Sequence, residues 1–217
     1  MLGYTQTEFY KNAFSTKIWG LFNNVKVITI ITTNPVFTMS KSSLNALASY
    51  FPDVKEYLAY KFEAQLIQFL DIVRVWKEAK ADRQIVFVGG DLHLAGHTQI
   101  FYNKKPFARQ LVASGINQFK LKKYEVLLSR SAFYFNHEME GNYSFAHHNW
   151  IGAKNYGTVN YKNLSADIMD IDMYVTVSNS IGKIAQLKTF NNIVFDANQS
   201  LLKLSALVLG FIVMLLI

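Results

Sequence analysis

An aspartate and a histidine two positions apart, Asp91 and His93, stand after an apolar run and two glycines in IVFVGGDLHLAGHTQI, residues 85–100. A carboxylate oxygen and an imidazole nitrogen are donors that hard and borderline divalent cations take, and the pair would equally suit a phosphate ester. Rigid scaffolds present such groups on the loops that leave strand ends. The competing reading is structural: an aspartate that caps its own turn and a histidine satisfied by backbone. Gly89 and Gly90 form the loop on either reading, because they let the chain turn tightly and approach closely whatever lies beyond the strand.

The remaining polar candidates are weaker. His97 follows His93 by four residues and would share a metal with it only on a helix, which Gly96 opposes, so His97 is expected to support the site or the fold. His147 and His148 are adjacent and diverge in any regular structure, so at most one of them faces a site. Asn149 and Asn155 are side chains that could orient a phosphate or a histidine. His137, beside Glu138 and Glu140, reads as solvated. Ser114 lacks the Gly-x-Ser-x-Gly frame of a nucleophilic serine, and no Walker loop, dinucleotide fingerprint or His-Glu-x-x-His is present.

Alternating elements must position these residues. Apolar spacing of three and four (Phe62, Leu66, Phe69, Val73, Trp76) predicts a helix over 62–79, and a short helix is expected over 5–14. β-Branched runs predict strands at 25–33 and from Ile85 into the glycines. Further strands are expected at 98–102 and 107–113, joined through Asn103–Pro106, and at 155–161 and 169–177. A hairpin is expected at 182–194, short helical pieces around Pro52 and a helix over 117–129. Strands and helices alternate early and strands dominate late, which predicts an α/β layered sandwich.

The 217 residues are 51% hydrophobic and suit one domain. The absence of cysteine excludes disulfide scaffolds, cysteine-ligated zinc and thiol catalysis. A net charge of +7 is spread along the chain without a basic run or a nucleic-acid motif, so no nucleic-acid partner is expected. The first residues show no signal-peptide pattern. Residues 196–200 read as a short polar linker. Residues 201–217 carry a single charge, Lys203, and form a hydrophobic tail. Three readings fit that tail: a membrane-spanning helix with Lys203 snorkelling, the removable signal of a lipid anchor, or a buried terminal helix. The first two make the chain membrane-associated, on either face.

VFVGGDLHLAGHTQI followed by FARQLVASGIN resembles the PhoD-like metallophosphatases, a branch of the calcineurin-like phosphoesterases. MLGYTQTEFYKNAF is similar to that family's Leu-Gly-x-x-Gln helix, and KNYGTVNY to a late Asn-Tyr-Gly strand. The order and spacing agree over residues 1–177. The resemblance implies a four-layer αββα sandwich, the C-terminal part of which would be residues 1–195, and a two-metal centre that hydrolyses phosphate esters. Such a pair of ions activates a water and neutralises charge on the phosphoryl oxygens. It implies Asp91 and His93 as metal ligands, with Asn117, His148 and Asn155 around them. The family's first ligands precede the Leu-Gly-x-x-Gln helix, yet no aspartate here precedes Asp53. The chain is therefore expected to carry one half of a membrane-attached phosphoesterase, inactive alone and completed by a longer parent or a separate N-terminal half. The alternative is a catalytically inactive, membrane-tethered interaction subunit that keeps part of the fold.

Overall fold

A computed structural model of the chain describes residues 4–17, 19–49, 52, 55, 61–115, 137–164, 169–178 and 184–188. The fold is mixed α/β with a sheet-rich core. Helix α1 (Tyr4–Ala13) is followed by β1 (Val27–Ile31), α2 (Lys41–Leu47), α3 (Glu63–Glu78) and β2 (Gln84–Gly89). The strands β3 (Ala95–Tyr102), β4 (Lys105–Val112), β5 (His137–Glu138), β6 (Tyr143–Ile151), β7 (Lys154–Asn163), β8 (Met169–Ser178) and β9 (Ile184–Lys188) complete the order.

β1 and β2 pair in parallel, as two strands joined by a helical crossover do, and β4 continues the parallel set. The chain leaves β2, runs out along β3 and returns along β4 through a hairpin. Asn103 and Lys104 at its tip both have positive φ, as a two-residue turn that matches strand twist requires. The result is a six-stranded sheet in the order β1-β2-β4-β3-β6-β5, beside an antiparallel three-stranded sheet β7-β8-β9.

The alternation of side chains along β1 and β2 explains the layering. Ile28, Ile30, Ile85 and Phe87 point to one face, where they pack with Ala13 and Phe14 of α1 and with Leu66, Leu70, Val73 and Trp76 of α3. Val27, Val86 and Val88 point to the other, against Ile171, Met173, Val175 and Val177 of β8. Helices, large sheet and small sheet thus form three successive layers. Arg83 fastens the turn after α3: its guanidinium donates to the carbonyls of Trp76 and Asn23, at 2.6 Å each, and lies over the Trp76 ring.

The segment between β1 and α2, residues 32–40, crosses the carboxyl ends of the strands, and where it is buried, over residues 35–40, side chains satisfy its backbone. Gln110 Oε1 accepts from the amides of Val36 and Phe37, while its Nε2 donates to the Phe37 carbonyl. His147 Nε2 donates to the Thr38 carbonyl and His137 Nδ1 accepts from Ser40 N. Phe37 packs edge-on against Phe87.

Most sequence expectations meet their elements, with differences at ends. The strand predicted at 98–102 begins three residues earlier, and β5 and β6 were not foreseen. His137 is a correction: it is 2% exposed, because β5 tucks it beneath residues 32–40, stacked on Phe145. The helix expected over 117–129, the linker at 196–200 and the tail at 201–217 lie outside the described residues. Among the described residues no helix is long and apolar enough to cross a membrane.

Candidate functional site at the carboxyl edge of the sheet

Three parallel strands, β1, β2 and β4, end on one edge of the large sheet, the place where open α/β sheets hold ligands. Their loops touch. Gly90 N donates to Thr33 O at 3.0 Å, and Ala113 N donates to Gly89 O at 3.0 Å. Gly89 is demanded by packing: a Cβ there would stand 2.8 Å from Pro35 Cα, and backbone cannot yield. Gly90 is not, since its nearest neighbours would be in ordinary contact at 3.5 Å.

The chain then places Asp91 and His93 in left-handed backbone, at φ 58° and 56°, on either side of Leu92. Aspartate and histidine enter that region more readily than most residues, but each costs about 1 kcal/mol relative to ordinary backbone. Leu94 anchors the loop, fully buried, with its carbonyl accepting from Ser114 Oγ at 3.2 Å. Asp91 is exposed at the rim and His93 half-buried.

Asn155, at the start of β7, reaches the same edge from the small sheet. Its Nδ2 donates to the carbonyls of Ser114 (3.0 Å) and Ala153 (2.7 Å), while Oδ1 is buried without a donor among the described residues. His97 lies one strand inward, opposite His148 of β6 and Leu111 of β4. It is 2% exposed and neither ring nitrogen has a hydrogen-bond partner among the described residues. Burial, then the neighbouring His148 and Arg109, lower its pKa to about 4, so the ring is neutral at pH 7.

His147 and His148 point to opposite faces, as adjacent strand residues must. His148 joins His97 between the sheets. His147 faces the helix side, where burial first and His137 second hold its pKa well below the usual histidine range. Its neutral ring is fixed as the Nε2–H tautomer, because Nε2 lies 2.6 Å from the Thr38 carbonyl and must donate. Nδ1 accepts from Thr98 Oγ1 at 2.8 Å, and that hydroxyl accepts from Gln110 Nε2 at 3.2 Å. This chain of bonds belongs to the scaffold that carries the edge.

Asp91, His93, His97, His148 and Asn155 thus gather at one end of the molecule, while Asn117 lies outside the described residues. Thr33, Asn34 and Pro35 also shape this edge; the TTNP that ends β1 was the available signal for them. Among the described residues no three histidine, aspartate or glutamate side chains stand close enough together to hold a metal ion. Asp91 and His93 supply two donors, fewer than the three or more protein ligands of a metal centre. Comparison with family models, curated proteins and solved structures finds no match to this chain.

Proposed function

We propose that the chain is the C-terminal part of a membrane-attached, metal-dependent phosphoesterase of the PhoD-like kind, with Asp91 and His93 as its share of a two-metal ligand set. One observation carries the reading: a carboxylate and an imidazole held in costly left-handed backbone at the edge where three parallel strands end. Strain of this kind persists where the surroundings enforce it, and it clusters at functional sites. The three layers described would be completed to αββα by helices on the face of the small sheet turned away from β1 and β2, and the tail at 201–217 supplies the attachment.

Two donors do not hold two metals. Hydrolysis therefore requires ligands from outside the described residues or from a partner chain, and phosphate monoesters and diesters are both admissible substrates. A second reading, an inactive interaction subunit, draws on that same shortfall.

The test uses the complex isolated from the protein's own cells, assayed for metal content and for hydrolysis of p-nitrophenyl phosphate and bis(p-nitrophenyl) phosphate. About two metals per complex are expected, with Asp91→Ala losing bound metal and at least 100-fold of the activity. A metal-free, inactive complex selects the interaction subunit. Full activity in Asp91→Ala refutes the site.

A further inference from the structure

The connection from α1 to β1, STKIWGLFNNVK at residues 15–26, is fastened from beneath by bonds that leave its apex outward. Gly20 N donates to Lys17 O at 2.8 Å, Asn23 N to Gly20 O at 3.0 Å and Phe22 N to Ala13 O at 3.0 Å. Only glycine fits at the apex, since a Cβ on Gly20 would fall 1.9 Å from the Ser15 carbonyl oxygen. Trp76 Nε1 donates to the Phe22 carbonyl at 2.8 Å, and Arg83 and Lys80 both donate to the Asn23 carbonyl. Phe22 packs edge-on against Phe14 in the core.

Trp19 and Leu21, on either side of Gly20, are nonetheless 77% and 64% exposed. Lys17 Nζ stands 5.4 Å from the centre of the Trp19 ring. Lys80 brings a second positive charge to the turn, while the Asp82 carboxylate is matched by Lys26 at 3.7 Å. Along the chain, Lys11, Lys17, Lys26 and Lys41 and no acidic residue fall between Glu8 and Asp53. Two long segments of the chain join the fold away from this turn. Residues 116–136 follow the carboxyl end of β4 and lead into β5, the strand farthest from β1, whereas the turn lies at the amino end of β1. Residues 189–217 follow β9 in the small sheet, and the turn packs in the helix layer on the other side of the large sheet.

We propose that this turn is a membrane-docking tip, which sets Trp19 and Leu21 into the surface of an anionic phospholipid leaflet while Lys17 and Lys80 meet its negatively charged headgroups. Indole is a side chain that membrane interfaces favour, because its ring is apolar and its N–H still finds a polar partner. Lysines gain from a negative surface, and their stems add apolar contact. A turn already fixed by its own bonds loses little freedom on inserting. A leaflet offers anionic groups directly above hydrocarbon, and the pairing of Lys17 with Trp19 complements that layering. Docked this way, the edge that carries Asp91 and His93 lies at the far end of β1 from the lipid, facing water-soluble substrates. The inference stands whether or not the chain belongs to a phosphoesterase, and it is separate from attachment through residues 201–217.

Trp19 is its own reporter, because the other two tryptophans, Trp76 and Trp150, are buried. Fluorescence of the full chain is followed with Trp19→Ser as the blank. In solution, acrylamide is expected to quench the Trp19 contribution. A shielded Trp19 would mean that residues 116–136, residues 189–217 or a second copy cover the turn, and would overturn the proposal. With vesicles of phosphatidylcholine and phosphatidylserine, brominated acyl chains are expected to quench that same contribution. Lys17→Glu is expected to raise the lipid concentration needed by about tenfold. Both variants should melt with the wild type, since both side chains are exposed. A chain that attaches to these vesicles while Trp19 stays unquenched is held by residues 201–217 alone. That result, or equal quenching in vesicles without phosphatidylserine, would overturn the docking tip and leave the proposed function standing.

Discussion

Acid should unfold this protein through His97, and the size of the effect follows from its surroundings. The ring is enclosed between the sheets with neither nitrogen bonded among the described residues, and its pKa falls from 6.5 to about 4 on folding. Above pH 6.5 neither the folded nor the unfolded chain binds the proton and nothing is lost. Between pH 6.5 and 4 the unfolded chain binds it and the folded chain does not, so stability falls as pH falls, by about 1.4 kcal/mol per pH unit. From pH 7.5 to pH 5 this one group removes about 2 kcal/mol, and the loss levels off below pH 4 at about 3 kcal/mol. The perturbation is His97→Leu, which removes the titrating group and its two unbonded nitrogens while filling similar space. Urea unfolding followed by tryptophan fluorescence at pH 7.5, 6.0 and 5.0 is the assay. The variant should match or exceed the wild type at pH 7.5 and lose about 2 kcal/mol less than it on going to pH 5. Equal losses in the two proteins would show that the ring is solvated or bonded in the folded state, and the argument would fail.

Three further outcomes follow from contacts described above. Gly89→Ala forces a Cβ against Pro35 backbone and should cost about 2 kcal/mol, a drop of roughly 4–8 °C in melting temperature, while Gly90→Ala should leave the melt unchanged. Gln110→Leu strands two buried amides and a carbonyl of residues 36 and 37 and should cost about 3 kcal/mol or more in urea unfolding. Lys162→Met removes the half-exposed ammonium 2.8 Å from the buried Asp172 carboxylate, which keeps the Tyr174 hydroxyl as a donor; it should destabilise by about 1 kcal/mol at pH 7, whereas Asp172→Asn in that background should recover part of the loss.

Period and punctuation made much of the fold legible. The helix over 63–78 follows from apolar residues at three and four, and the strand 84–89 from a β-branched run halted by glycine. β6 was missed because its polar tail, HHNW, masks the alternation of Tyr143, Phe145 and His147, which is a strand pattern with a histidine at an inward position. His137 was misjudged for a related reason: its acidic neighbours suggested solvent, but burial on a strand alternates residue by residue. At the edge, the glycines signalled a turn and the Asp-x-His spacing a pair of donors. Sequence could not show that both donors lie in left-handed backbone, nor that Asn155 and His148 arrive at the same edge from distant strands. Those placements depend on how two sheets pack, which no local pattern encodes.

The clamp on residues 32–40 has a consequence in time. The amides of Val36 and Phe37 are bonded by a side chain 74 and 73 positions later in the chain, and the Thr38 carbonyl by one 109 positions later. None of these bonds can form until β4 and β6 are in place, so the crossover docks after the meander that receives it. Long-range closure of this sort is entropically slow. Weakening the clamp should therefore leave the folding rate nearly unchanged and quicken unfolding, which places the half-life of the folded protein, more than its speed of assembly, in the hands of Gln110 and His147.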